Sequence, residues 1–231
     1  MSIIFGVDGC KNKWFVIEKD LDAQRYRFHL WTTSELFHSH PSPQVIAIDI
    51  PIGLPERGSR TCDTEARKLL TRRASSVFPA PIRPILEAKS RQEADRISRG
   101  LGDRGVSFQT FGILPKICQV DGELRRHPEL QNRVWEIHPE VSFYFLAHGQ
   151  PMRHYKKMSK GFLERYQVLS PIFGADLDRA LTELRTFASK DDVLDAFAAL
   201  WTAERIASGT FEMIPPSCPR DSLGLRMVIS A

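Results

Sequence analysis

The stretch "VIAIDIP" (residues 45–51) reads as a strand with no solvated face, closed first by an aspartate and then by a proline. It lacks the apolar/polar alternation of a half-exposed strand, which is the pattern of a parallel strand buried inside an α/β sheet. Pro51 cannot continue the ladder and ends it. The same design stands at the N-terminus. There "IIFGVDG" (3–9) carries an apolar run over 3–7 that stops at Asp8-Gly9. Asp8 and Asp49 therefore hold equivalent places, each at the carboxyl end of a buried strand. If the two strands are neighbours, about 5 Å apart, both side chains project into one crevice. Open α/β sheets take their ligands at that edge.

Two further strands are expected between these. Residues 14–18 form one. In the other, Tyr26, Phe28 and Leu30 alternate with Arg25, Arg27 and His29, which gives one solvated face. With the first strand they make an antiparallel meander, followed by a short helix over 33–38. Residues 51–130 are rich in arginine, proline and glycine, with amphipathic pieces near 63–73 and 85–99, and read as a largely helical insertion or cap. A short strand over 134–137 bears Glu136. Helices follow near 141–147, 160–169, 176–188 and 191–208. No repeat and no long linker divides the chain, so residues 1–231 are expected to form a single domain.

The last helix carries the third acidic feature. "KDDVLDAFAALWTA" (190–203) places Asp191, Asp192 and Asp195 on an otherwise apolar helix. Acids at a helix start answer its dipole, and that accounts for Asp191 and Asp192. Asp195 lies one turn deeper. Asp192 and Asp195 share a face, which Ala196 and Ala199 extend as a small-residue surface suited to close packing on a sheet. If Asp8, Asp49, Asp192 and Asp195 converge, their mutual repulsion calls for protons or cations. Aspartate oxygens are hard ligands suited to Mg2+ or Mn2+. The competing reading of Asp8 alone is a turn residue, because Asp-Gly marks turns so often.

Composition bounds the rest. The 231 residues are 42% hydrophobic and 26% charged, with a net charge of +4, as in a globular protein. That charge suits a polyanionic partner without requiring one. No apolar run is long enough to span a membrane, and the N-terminal apolar stretch reads as a strand and not a signal peptide. Cys10, Cys62, Cys118 and Cys218 are widely spaced, which argues against a disulfide framework or a cysteine-based zinc site and for a cytoplasmic setting.

In this order, "GVDG" on a first strand, "IAIDIPIGLP" on a fourth and "DDVLDAFAALWTA" on a late helix resemble the ribonuclease H-like fold, closest to its RuvC-like branch. More narrowly, the chain is similar to the family catalogued as domain of unknown function 429, described as predicted RNase H-like nucleases. The stretches that carry the likeness are "FGVDGCKNKW" (5–14), "IDIPIGLP" (48–55), "CDTEAR" (62–67), "SVFPAPIR" (76–83), "VSFQTFGILPKI" (106–117), "WEIHPEVSF" (135–143), "KDDVLDAFAAL" (190–200) and "DSLGLRMVI" (221–229). The resemblance implies an α/β fold with a mixed five-stranded sheet, antiparallel meander plus parallel strands, flanked by helices. It implies Asp8, Asp49, Asp192 and Asp195 as ligands of Mg2+ or Mn2+, and hydrolysis of nucleic-acid phosphodiesters by a two-metal carboxylate site. Where family members often carry a small residue before the tryptophan, this chain has Lys13.

Secondary candidates surround that set. Glu136 is a further metal ligand or a structural acid. His138 assists proton transfer or bonds across a turn, and Glu140 either joins the metal site or answers a helix dipole. Lys13, Arg60, Arg67, Arg83, Gln109 and Lys116 are candidate contacts to substrate phosphate, although Asp63 and Arg67 also suit a surface ion pair. Phe78 is expected in the core, with base stacking as the alternative. The basic runs "RKLLTRRA" (67–74) and "MRHYKKMSK" (152–160) track a nucleic-acid backbone or form solvated helix faces. Partners are thus DNA, RNA or a nucleotide. Two other functions compete: phosphoryl transfer or nucleotide binding on the same fold, for which "DGCKNK" (8–13) is a loose phosphate-loop likeness without the second core such kinases need, and non-catalytic binding.

Overall fold

A computed structural model describes residues 2–184 and 186–231. The chain runs β1 (Ile3–Cys10), β2 (Lys13–Asp20), β3 (Arg25–Trp31), α1 (Thr33–Phe37), β4 (Val45–Ile48), α2 (Thr61–Leu70), α3 (Arg91–Gly100), α4 (Phe108–Arg126), β5 (Val134–Glu136), α5 (Pro139–Leu146), α6 (Ser159–Glu183), α7 (Lys190–Ser208), β6 (Met213–Ile214) and β7 (Ile229–Ser230). The five long strands form one sheet in the order β3-β2-β1-β4-β5. β1, β2 and β3 are antiparallel neighbours, and β4 and β5 run parallel to β1. This is the meander-plus-parallel sheet that the ribonuclease H-like resemblance implies. β1 lies at its centre and is buried nearly throughout, which is why its sequence shows no alternation.

The period-two geometry of strands sorts the sheet residues between two layers. Ile4, Phe15, Ile17, Val45 and Ala47 face α5, α6 and α7, whose contributions include Phe143, Phe173, Ala196, Phe197 and Leu200. Phe5, Val7, Val16, Ile46 and Ile48 face the opposite layer, with Leu36 and Phe37 of α1 and Ile117, Val120 and Leu124 of α4. α7 lies against β1 at a glycine. A Cβ on Gly6 would stand 2.3 Å from the Leu200 nitrogen and 2.4 Å from the Ala196 carbonyl oxygen, both backbone atoms of the helix. The small-residue surface read from the sequence at Ala196 and Ala199 is therefore a real close approach of helix to strand.

The segment between β4 and β5, residues 49–133, is helical as expected, but it is not only a cap. The second half of α4 is part of the sheet's covering layer, while α3 and the first half of α4 enclose a small separate core around Ile82, Ile85, Ala94, Val106 and Leu114. The sequence did not resolve α4 as one helix, because Gly112 and Pro115 interrupt its pattern. Ser107 caps it by accepting the Thr110 N–H. The two helices expected over 160–169 and 176–188 are joined as α6, bent at Gly174 with φ 43°. Among the described residues no helix is long and apolar enough to cross a membrane.

Candidate metal centre

The face assignment aims the acids. Asp8 continues the Ile4–Gly6 face of β1, and Asp49 continues the Val45–Ala47 face one residue past β4. Both therefore point toward the α7 layer. The parallel register pairs Val7 with Ile48 and extends to an Asp49 N–H donated to the Val7 carbonyl at 3.0 Å, so the two aspartates stand side by side. α7 presents Asp195, buried among apolar neighbours, to the same place. The three line one cavity of ≈ 580 Å3.

Electrostatics agree with the convergence. Burial, then the charges of Asp49 and Asp195, lift the Asp8 carboxyl well above the ordinary aspartate range. Burial raises Asp49 as well. Asp195 is pushed up to about 6 by burial, against the pull of Lys156. The Lys156 ammonium stands 2.5 Å from Asp195 Oδ2, and its own pKa is raised despite desolvation because Asp195, Asp8 and Asp49 surround it. Lys156 thus faces three carboxylates, of which Asp8 and Asp195 are buried and Asp49 half-buried. Among the described residues no side chain or backbone N–H donates a hydrogen bond to the Asp8 or Asp49 carboxylate, which leaves their oxygens open as ligands.

Asp192 has a different task. Its carboxylate accepts the Ser189 N–H at 3.0 Å while Ser189 Oγ accepts the Asp192 N–H at 3.2 Å, a reciprocal cap of α7. It stands near enough to raise Asp8 slightly but does not line the cavity. The structure thus places Asp192 in the cap of α7, outside the residues that line the cavity.

Glu136 is corrected more fully. At the end of β5 it turns away from the cavity and accepts both Arg60 Nη1 and Nη2 at 2.7 Å, together with the Ile52 N–H at 2.6 Å. Arg60 also grips Asp63, at 2.6 Å and 3.2 Å, so this expected substrate contact is a buried structural cation. Arg67 donates to the Val77 carbonyl and lies outside the cavity, with Asp63 paired to Arg60 instead. Arg83 bridges Asp121 at 2.9 Å and Asp221 at 2.5 Å, tying the C-terminal segment to α4. Lys13 is exposed at the start of β2 and uses its carbonyl to hold Lys116.

Four secondary candidates do reach the cavity: Gln109, Lys116, His138 and Glu140. Lys116 lies over the Trp14 ring at 4.2 Å, where burial lowers its pKa. It approaches so close to Gly9 that a Cβ there would stand 3.0 Å from Nζ. His138 Nε2 meets the Ser76 carbonyl at 3.2 Å, while Nδ1 is buried without a partner among the described residues. Glu140 Oε1 is held by Arg165, and its Oε2 has no hydrogen bond although Arg73 Nε is 3.6 Å away.

The rim holds what the sequence did not single out residue by residue. Lys11, Arg73, Tyr155, Lys156 and Lys157 all line the cavity, and four of these five lie in the two basic runs noted above. Arg73 stacks over Tyr155 at 4.2 Å. Phe78, expected in the core, is 48% exposed at the cavity wall. Pro79 and Pro81 follow it closely and keep this segment out of helix and strand.

A family model described as "Protein of unknown function (DUF429)" matches residues 6–220. The chain belongs to that family. No curated protein and no solved structure matches it. Six of the DUF429-like stretches supply cavity residues: 5–14 gives Asp8, 48–55 gives Asp49, 76–83 gives Phe78, 106–117 gives Lys116, 135–143 gives His138 and 190–200 gives Asp195. The other two, 62–67 and 221–229, supply Asp63 and Asp221, which anchor the buried Arg60 and the half-buried Arg83. DUF429 resemblance therefore marks two kinds of position in this chain, those that form the cavity and those that brace its walls.

Proposed function

We propose that this protein is a divalent-metal-dependent phosphodiesterase acting on single-stranded nucleic acid or a nucleotide, with Asp8, Asp49 and Asp195 as the metal ligands. The convergence of three carboxylates, two of them buried, beneath a basic and aromatic rim carries this reading. The donor set fits Mg2+ or Mn2+: it is all carboxylate oxygen, and burial, with mutual repulsion added at Asp8 and Asp195, raises the cluster's affinity for a proton, a cost that a bound dication would offset. Bound there, such an ion would polarise a phosphodiester and lower the pKa of an attacking water.

The chain's own residues supply the rest. Lys11, Arg73, Lys116 and Lys157 surround the cavity with cationic donors for phosphate oxygens. Phe78 and the Arg73–Tyr155 pair offer flat faces on which an unpaired base stacks. His138 Nδ1, which has no hydrogen-bond partner among the described residues, is the group that would accept or return a proton beside Asp49. A cavity of ≈ 580 Å3 is within the roughly 300–1,000 Å3 of small-molecule sites, which favours one extruded nucleotide or a strand end over a duplex. Four free cysteines suit a cytoplasmic setting.

The test is hydrolysis of single-stranded DNA, single-stranded RNA and nucleotides with Mn2+ or Mg2+. Asp8→Asn and Asp195→Asn are each expected to reduce the rate more than about a hundredfold, beyond the loss of a supporting residue alone. Hydrolysis that survives both substitutions or persists in chelator overturns the proposal. Nucleotide binding without turnover would instead favour the phosphoryl-transfer or non-catalytic readings.

A further inference from the structure

A second set of metal-ligating side chains lies on the other layer of the sheet, where α1 meets the C-terminal end of α4. His38 follows the last residue of α1, and Glu123 and His127 are one turn apart at the end of α4. His38 Nε2 stands 3.1 Å from Glu123 Oε2, and His127 Nε2 stands 3.9 Å from the same oxygen. The two rings are 5.0 Å apart, and one donor atom from each of the three residues lies within 4.8 Å of the others. Chain positions 85 residues apart have thus brought two imidazoles to bear on one carboxylate oxygen.

The surroundings fix which atoms are available. Arg126 Nη1 donates to Glu123 Oε1 at 2.5 Å, holding the carboxylate and leaving Oε2 turned to the histidines. His127 Nδ1 faces Glu129 Oε1 at 3.5 Å, which puts a carboxylate behind the ring and leaves Nε2 on the side of Glu123. A carboxylate behind a histidine is the usual outer support of a metal-bound imidazole. The 3.9 Å separation is too long for a hydrogen bond, so the cluster is not closed by protons alone. Around a tetrahedral zinc, with bonds of about 2.0–2.1 Å, donor atoms stand about 3.3 Å apart. Small rotations of two partly exposed imidazoles make up the difference.

We propose that His38, Glu123 and His127 bind one Zn2+ ion, with Glu129 positioning His127. Imidazole and carboxylate donors select zinc over the magnesium suited to the all-carboxylate cavity. The ion fastens α1, next to the meander, to α4, whose first half carries Gln109 and Lys116 into the cavity. Seven residues, about 10 Å of helix, separate Lys116 from Glu123. Zinc at this site therefore stiffens a wall of the cavity without entering it.

The experiment titrates Zn2+ into the chelator-stripped full-length chain, following heat and melting temperature. One zinc per chain is expected, with a rise in melting temperature. His38→Ala and His127→Ala should each weaken binding at least about tenfold and Glu129→Gln by about tenfold, while Asp195→Asn leaves it unchanged. Co2+ in place of zinc should give visible absorption bands that His127→Ala abolishes. Binding of equal strength in wild type and both histidine variants, or binding lost in Asp195→Asn, overturns the proposal, as does a wild-type chain that takes no zinc. These side chains are partly exposed, so the variants are expected to melt like wild type in chelator, which keeps a binding loss distinct from misfolding.

Discussion

Two groups of charge sit at the carboxyl ends of β1, β4 and β5, and they are built on opposite rules. In the Arg60 cluster every carboxylate oxygen is occupied. Glu136 takes two guanidinium nitrogens and the Ile52 N–H, and Asp63 takes two guanidinium nitrogens and the Ala80 N–H. In the Asp8 cluster three carboxylates meet one lysine, and two of them receive no hydrogen bond from a described residue. A satisfied cluster braces the fold, whereas an unsatisfied one stores repulsion that only a proton or a metal relieves. The contrast explains why Glu136, an acid at a strand end like Asp8 and Asp49, belongs with the frame and not with the cavity.

The largest effect should come from breaking the satisfied cluster. Arg60→Met leaves Glu136 and Asp63 buried without their cation, and is expected to cost about 3–5 kcal/mol in denaturant unfolding. A loss under about 1 kcal/mol would mean that the cluster carries no more than a surface pair. By contrast, Asp8→Asn should leave the metal-free chain at least as stable as wild type at neutral pH.

The second effect is the pH dependence of the unsatisfied cluster. Asp8, Asp49 and Asp195 hold protons more tightly folded than unfolded. Their protonation favours the folded state at low pH, and each contribution is lost as pH rises above the unfolded value of about 4; for Asp195 the loss runs through about 6. Metal-free melting curves should show Asp195→Asn gaining on wild type across that window, by an amount of order 2 kcal/mol. Parallel curves at every pH would place Asp195 outside a charged cluster. Mn2+ should stabilise wild type more at pH 7.5 than at pH 5, because it competes with protons for the same oxygens.

Smaller effects sharpen the contrast. Lys156 occupies the acids in the absence of a dication, yet its side chain is 42% exposed and screened. Lys156→Met is therefore expected to tighten Mn2+ binding by no more than about tenfold in calorimetry. Weaker binding would instead make Lys156 part of the metal's support. Phe78→Ala should raise KM for a single-stranded substrate about fivefold at unchanged kcat, the low end of base-stacking energies. A fall in kcat with constant KM would take Phe78 out of the binding wall.

Much of this was legible before any coordinates, and the reasons are local. Unalternating apolar runs over 3–7 and 45–48 marked buried strands, and the alternation at 25–30 marked a strand with one solvated face. Two aspartates at equivalent strand ends then pointed to one crevice. The signal failed where a role depends on a distant partner. Arg60 and Glu136, 76 positions apart, each resembled a site residue until paired with the other. Lys156 and Arg73 were visible only as members of basic runs, because a run does not say which of its cations turns inward.

Sequence alone thus determined the strand order of the meander, the burial of β1 and β4 and the placing of Asp8 and Asp49, because periodicity and chain breakers act over a few residues. The tertiary structure decided which charges are satisfied and which are left open. That distinction depends on desolvation and hydrogen-bond partners brought from remote parts of the chain, so the spacing of Asp192 and Asp195 could not show that one caps a helix while the other faces the cavity.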